Sequence, residues 1–160
     1  MRRAIRVIEK SAVRSPTRAT VTLNFEDRFR RRVRLKDDVG EPFLLDLPHA
    51  TRFEDGDGLE LDNGDIISVC AAEEDVLDIS GKNQPHTTRL AWHIGNRHTP
   101  VEVLANGHLR IQYDHVLVRM LEGLGATISR LKAPFVPEPG AYTSTFKENP
   151  SHEHGHVRTG

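Results

Sequence analysis

The stretch YDHVLVRMLEGLGATISRLKAPF (residues 113–135) decides the fold, because it predicts a helix followed directly by a strand. Asp114 is a typical N-cap residue, and Gly125 supplies a C-terminal stop. The apolar residues between them recur at helical spacing, and these are Val116, Leu117, Met120, Leu121 and Leu124. Residues 126–135 are then predicted to form a closing strand.

Four more elements precede this pair. They are a strand at 76–80, a helix that Thr87 or Thr88 caps and that ends near 95–96, and strands at 101–104 and 108–112 joined by an Asn106-Gly107 turn. The order β-α-β-β-α-β over about 60 residues is that of the split βαβ, or ferredoxin-like, arrangement. Two helices would cover one face of a four-stranded antiparallel sheet.

The first half of the chain predicts only β-structure. Residues 19–25 alternate apolar and polar, residues 43–47 form a short apolar strand, and Asn63-Gly64 is a strong hairpin signal. The predicted fold is therefore α+β. Its predicted parts are an N-terminal all-β domain (1–73), a ferredoxin-like domain (74–146) and a flexible histidine-containing tail (147–160).

A ladder of basic residues occupies 29–36. Phe29, Val33 and Leu35 are predicted to face one way, and the opposite face carries Arg28, Arg30, Arg32, Arg34 and Lys36. Charged residues on the outer face of a strand also deter unwanted pairing. Because stacking aromatics are scarce and acidic residues lie nearby, we interpret the ladder as a solvated face rather than a nucleic-acid surface.

Composition limits the kinds of function. The 160 residues carry a formal net charge of -1, which gives no global attraction to nucleic acid or to an anionic membrane. No apolar run approaches the roughly 20 residues that span a bilayer. Cys70 is the only cysteine, which excludes an intrachain disulfide or a thiolate cluster. We therefore expect a cytoplasmic protein without a membrane partner, and we expect Cys70 to be a small core residue.

No motif in the sequence indicates catalysis. The chain lacks a G-x-S-x-G elbow, a phosphate loop and an H-E-x-x-H pair. Gly56-x-Gly58 precedes a strand instead of a helix, so it is not a dinucleotide fingerprint. Our interpretation is that the chain is not an enzyme.

Histidine is the unusual residue, with nine in the chain. His152, His154 and His156 form an alternating H-x-H-x-H pattern near the C-terminus, and imidazole is a good ligand for nickel, copper and zinc. The alternative is a solvated tail with incidental histidines. His115, at the start of the last helix, is a second candidate ligand, although a lone histidine there is more often plain surface. We interpret His93 and His98 as structural.

Three long motifs resemble the UreE family of urease accessory proteins. They are LAWHIGNRHTP (90–100), YDHVLVRMLEGLGA (113–126) and PFVPEPGAY (134–142). The resemblance implies a homodimer built through the ferredoxin-like domains, in which His115 meets its twin across the dimer axis and the two imidazoles bind one nickel ion (Ni2+). Histidines among 152, 154 and 156 would complete the coordination.

The resemblance also implies that residues 1–73 bind partner proteins and that residues 74–146 bind metal and form the dimer. It implies a function as well. The dimer would capture nickel and donate it, through the urease accessory GTPase and the urease pre-activation complex, to apo-urease. Three tail histidines imply little storage capacity, and Ser129 and Leu131 stand where some members carry further histidines, so we predict no peripheral site. A zinc or copper buffer using the same residues stays open as an alternative, and so does an RNA- or protein-binding module without a metal.

Overall fold

Two β-sheets follow one another along the chain. The computed structural model describes residues 1–14, 17 and 19–140. The first sheet contains six strands, which are β1 (Arg2–Ile8), β2 (Ala19–Leu23), β3 (Phe29–Lys36), β4 (Pro42–Arg52), β5 (Gly58–Leu61) and β6 (Ile66–Ala71). Their order across the sheet is β2-β6-β5-β1-β4-β3, with parallel pairing of β1 with β4 and of β2 with β6. Single 3-10 turns lie at Lys10–Ala12 and Glu26–Arg28.

Every second residue of a strand contributes to the core of this sheet, because successive side chains of a strand point to opposite faces. Phe43, Leu45 and Leu47 of β4 are buried while their neighbours are not. Val21 and Leu23 of β2 are buried too, which confirms the predicted alternation as far as Leu23, where the strand ends.

The second sheet carries two helices. Its elements are β7 (Glu73–Ser80), α1 (Gln84–Asn96), β8 (Glu102–Val103), β9 (Leu109–Gln112), α2 (His115–Gly123) and β10 (Thr127–Pro134). The strand order is β10-β7-β9-β8, and each of these pairs is antiparallel. The core between the sheet and the helices consists of Leu77, Ile79, Leu90, Ile94, Leu109, Ile111, Leu117 and Leu121. The predicted α+β fold with a ferredoxin-like second part is confirmed.

The start of α1 differs from the prediction. Asn83, and not Thr87 or Thr88, is the N-cap, and its side chain accepts a hydrogen bond from the His86 backbone N–H at 2.9 Å. Thr87 is buried one turn later, where its hydroxyl donates to the Asn83 carbonyl and accepts from the Gly81 N–H. The helix therefore begins at Gln84, three residues before the earlier of the two predicted cap residues. The strand predicted at 101–104 is shorter and contains only Glu102–Val103.

Phe29 also departs from the prediction. It is 50% exposed, whereas Val33 and Leu35 of the same strand pack against the core as expected. The cause is a register shift, because Arg30 pairs with Thr51 while Arg32 already pairs with Asp46. An irregularity of this kind disrupts the ladder locally and breaks the alternation of faces.

None of the helices in the part of the chain that the structure describes could cross a membrane, and α1, with 13 residues, is the longer of the two.

Arg28 joins the two sheets. Its side chain is almost fully buried, and its guanidinium donates from Nη1 to the Leu23 carbonyl at 2.9 Å and from Nη2 to the Phe135 carbonyl. Leu23 ends a strand of the first sheet, and Phe135 follows β10 of the second. The rings of Phe25 and Phe135 meet edge to face beside this contact, with centroids 5.4 Å apart. Burial lowers the pKa of Arg28, but the Glu74 and Glu54 carboxylates oppose that shift, and the group remains a cation.

Replacing Arg28 by alanine should weaken the fold. Arg28→Ala leaves the Phe135 carbonyl without this donor, removes one of the two donors to the Leu23 carbonyl and opens a cavity, so we expect the free energy of unfolding to fall by about 3 kcal/mol. Urea unfolding followed by circular dichroism measures this. Arg89→Ala, at an exposed site on α1, is the control and should change the value by less than about 0.5 kcal/mol. Equal effects of the two variants would show that the Arg28 contact adds no stability.

Asp37 organises the end of the first sheet. Its carboxylate accepts hydrogen bonds from Arg2 Nη2 at 2.9 Å, from the Glu41 N–H at 2.9 Å and from the Val39 N–H at 3.1 Å. Burial opposes its ionisation, but these hydrogen bonds and the Arg2 charge outweigh that effect, so the pKa of Asp37 lies below its ordinary value. Its ionised form therefore stabilises the fold.

This stabilisation should depend on pH. A lowered pKa contributes stability that is fully present above the unfolded value of about 3.9 and is lost as the pH falls through the folded value. Asp37→Asn should therefore lower the urea midpoint at about pH 7, and its difference from the unaltered protein should shrink toward about pH 3. Asp62→Asn, at an exposed position, is the control. A difference that stayed constant with pH would contradict the assignment.

Candidate metal site

His115 is the first residue of α2, and its position is fixed by the residue before it. The Asp114 carboxylate caps the helix by accepting hydrogen bonds from the N–H groups of Val116 at 2.8 Å and Leu117 at 3.2 Å. This is the arrangement that satisfies free N–H groups at a helix start. The prediction of Asp114 as N-cap is confirmed, and so is the stop at Gly125, which has a φ of +77°.

The packing of α2 turns His115 outward. Leu117 and Leu121 are buried against the sheet, whereas His115, Val116 and Arg119 are exposed. The imidazole is therefore free to meet a metal ion or another protein. The adjacent Asp114 carboxylate offsets the positive end of the helix dipole, which would otherwise repel a cation.

Two residues close to His115 in the sequence have exposed apolar side chains. Val116 is 49% exposed and Tyr113 is 39% exposed. Tyr113 is also held in place, because the Arg130 guanidinium stacks 3.7 Å from its ring centre. Arg130 is in turn fixed to Asp75 by two hydrogen bonds of 2.9 and 2.7 Å, and these bonds lower the pKa of Asp75. A histidine between ordered, exposed apolar side chains is suited to burial against a second protein surface.

One chain alone does not build a metal cage in its described part. Across residues 1–14, 17 and 19–140, no group of three or more His, Cys, Asp or Glu side chains is placed to hold an ion. His115 is therefore a single imidazole donor. A site with three or more protein ligands that includes His115 would therefore draw on another copy, on another protein or on residues that the structure does not describe.

His86 is unavailable to a metal because both of its ring nitrogens are engaged. Nδ1 accepts a hydrogen bond from the Lys82 N–H at 2.9 Å, so the proton must be on Nε2, which donates to the Leu124 carbonyl at 2.8 Å. The ring thus joins the start of α1 to the end of α2. Sequence analysis assigned His86 no role, although its place one turn into a helix after Asn83 is compatible with this local bonding.

Three further histidines have distinct surroundings. His93 is half-buried and its ring meets Trp92 edge to face, with centroids 5.0 Å apart. His98 follows α1 in the left-handed region, with a φ of 58°. His108 is exposed in the hairpin before β9, and its backbone N–H donates to Asn106.

The predicted tail ligands His152, His154 and His156 lie outside the described residues, as does the whole predicted tail from 147. Each stays a prediction.

Comparison with known proteins gives matches along both halves of the chain. Residues 2–72 match the N-terminal domain of the UreE urease accessory protein, and residues 74–159 match its C-terminal domain. The "Urease accessory protein UreE" of Bradyrhizobium sp. (strain ORS 278) is 45% identical over 155 residues, covering 97% of this chain and 71% of the relative. That of Ruegeria pomeroyi is 47% identical over 139 residues, covering 87% of this chain and 91% of the relative.

The cap at Asp114 yields a stability prediction. Asp114→Ala removes the acceptor for two helix N–H groups, and we expect it to lower the free energy of unfolding by about 1 kcal/mol. Asp114→Asn keeps an acceptor at the same place and should retain most of the stability. Thermal and urea unfolding of the two variants measure the difference. Equal losses in both would mean that the carboxylate charge, and not the cap, stabilises α2.

Proposed function

This chain belongs to the UreE family of urease accessory proteins, and from that premise we propose that it is a nickel metallochaperone. In this proposal it captures nickel as a homodimer and donates the ion, through the urease accessory GTPase complex, to apo-urease. Nickel is its cargo, and no substrate is turned over. The observation that carries the proposal is the exposed His115 at the capped start of α2.

Dimerisation would solve the shortage of ligands. A twofold axis beside the start of α2 brings two His115 imidazoles together, because symmetry repeats each ligand automatically. The exposed side chains of Val116 and Tyr113 flank this histidine and would be buried in the same contact. Burial of apolar area then favours the geometry that places the two imidazoles together.

The electrostatics of the site suit release as well as capture. Two helix N-termini would face one cation, which weakens its binding, while two Asp114 carboxylates would offset part of that repulsion. Two imidazoles alone also leave coordination positions open. We propose that histidines among 152, 154 and 156 fill some of these positions and leave again when the ion is passed on.

The donor chemistry fits a nitrogen-liganded divalent ion. Imidazole binds nickel, copper and zinc, so the ligands alone do not select nickel. Burial and the nearby Asp55 and Asp38 charges raise the pKa of the Cys70 thiol, which disfavours the thiolate form that binds metal ions. Cys70 also lies in β6 of the first sheet, whereas His115 belongs to the second part of the chain.

The central test removes the His115 imidazole. His115→Ala should abolish the high-affinity phase of nickel binding, and calorimetric titration measures this while light scattering records the oligomeric state. We expect the variant to stay folded and dimeric, since the His115 side chain is exposed and the N-cap of α2 is Asp114. His108→Ala, at an exposed histidine in the hairpin before β9, is the matched control and should bind nickel as the unaltered chain does.

A second variant separates the two groups of predicted ligands. His152→Ala/His154→Ala/His156→Ala should weaken nickel binding without eliminating it. If this triple variant lost the high-affinity phase and His115→Ala kept it, the shared site at α2 would be refuted. Repeating the titration with zinc and copper at fixed pH tests the alternative of a general metal buffer, which predicts no selective delivery of nickel to apo-urease.

A further inference from the structure

We propose that Asn106 is a site at which the chain modifies itself, and that His108 promotes the reaction. The side-chain amide of Asn106 is lost as ammonia through a cyclic imide formed with the Gly107 backbone nitrogen. The proposal does not depend on nickel binding, and its test uses no metal.

The chain carries two Asn-Gly turns that have closely similar backbones. Asn63-Gly64 lies between β5 and β6, and Asn106-Gly107 lies between β8 and β9. Gly64 has a φ of +89° and Gly107 one of +83°, and each glycine N–H donates to the carbonyl three residues earlier at 2.9 Å. Both asparagines are exposed, so water reaches them. A glycine after asparagine suits cyclisation, because no side chain obstructs its nitrogen.

A hydrogen bond fixes the orientation of each asparagine side chain. Asn63 Oδ1 accepts from the Asp65 N–H and Asn106 Oδ1 accepts from the His108 N–H, each at 2.9 Å. The amide oxygen and nitrogen are therefore distinguished by their partners in both turns. In each case the nitrogen is the atom that faces the side chain two residues further along the chain.

The two turns differ in the group that faces this amide nitrogen. Asn63 Nδ2 donates to the Asp65 carboxylate at 3.2 Å, whereas Asn106 Nδ2 lies 3.3 Å from His108 Nδ1. The Asp65 charge opposes both the removal of a proton from the Gly64 nitrogen and the negative oxygen that forms on the asparagine, because like charges disfavour ionisation. A histidine in the same place adds no negative charge, and its protonated ring is a donor at both nitrogens.

The first step closes the imide. The Gly107 nitrogen loses its proton to water and attacks Asn106 Cγ, which forms a new N–C bond and a tetrahedral intermediate. Nδ2 is a basic amine in this intermediate, so the His108 imidazolium can give it a proton as a general acid. The Cγ–Nδ2 bond then breaks, ammonia leaves, and the imidazole recovers its proton from solvent.

The second step opens the imide with water. The Gly107 nitrogen is now bonded to two carbonyl carbons of residue 106, and water adds to one of them. Cleavage of the bond to Cγ gives an aspartate in the ordinary backbone, whereas cleavage of the other bond gives an isoaspartate. Both products carry a new carboxylate beside His108, and neither step needs an oxidant or a reductant.

The test follows the two asparagines in one sample. The full chain is incubated at neutral pH, and peptide mapping by mass spectrometry measures the loss of ammonia at each position. We expect Asn106 to react at least about fivefold faster than Asn63, because only Asn106 has a proton donor beside its leaving group. His108→Ala should lower the Asn106 rate to about that of Asn63 and should leave the Asn63 rate unchanged.

A control is needed for Gln84, whose Oε1 would lie 3.3 Å from a Cβ on Gly107, whereas a Cβ on Gly64 would meet nothing within 4 Å. Gln84→Ala should change neither rate, since its neutral amide is not an acid. Asp65→His moves an imidazole to the other turn and should raise the Asn63 rate. Circular dichroism checks that each variant is folded.

The proposal is overturned if neither asparagine reacts, if the two react at equal rates in the unaltered chain, or if His108→Ala leaves the Asn106 rate unchanged. It is also overturned if Asp65→His does not raise the Asn63 rate, or if Gln84→Ala slows Asn106 as much as His108→Ala does. None of these measurements involves a metal ion, so their outcome does not bear on the nickel assignment.

Discussion

A buried guanidinium needs hydrogen-bond acceptors, and Arg28 finds them in two different sheets. One of its nitrogens donates to the carbonyl of Leu23 and another to that of Phe135. If Arg28 lost either acceptor, a donor of its buried charged group would have no hydrogen-bond partner, which costs several kcal/mol. The relative placement of the two sheets is therefore restrained at this contact, and with it the placement of His115 relative to the first sheet.

The surroundings of His115 are also set by a small number of interactions within the chain. The Asp114 carboxylate caps the start of α2, and its negative charge also offsets the repulsion between the helix dipole and a cation at this position. Tyr113 is ordered by Arg130, and Arg130 by Asp75. The candidate site is thus supported by residues whose geometry one chain can set alone, while the full ligand set that we propose requires more than one chain supplies in its described part.

Whether a feature could be predicted from the sequence depended mainly on how far along the chain the residues that cause it lie. The helix α2 was predicted with its cap and its stop because Asp114 and Gly125 act within a few residues of themselves. The start of α1 was missed although Asn83 followed by Pro85 is a recognisable start signal. The exposure of Phe29 was missed because the register shift is a property of the pair formed with β4. Arg28 resembled its neighbours in a basic run, and its burial depends on Phe135, more than a hundred residues away along the chain.

The bonding of His86 limits how many imidazoles of this chain are available to bind a metal ion. Counting imidazoles overstates the capacity for metal, because a ring that already serves two backbone groups would have to break both bonds before it could coordinate an ion. Folding therefore engages both ring nitrogens of His86 in hydrogen bonds before a metal ion could bind them. Partial unfolding between α1 and α2 would free the His86 imidazole. A partly unfolded chain would then bind metal ions less selectively than the folded one.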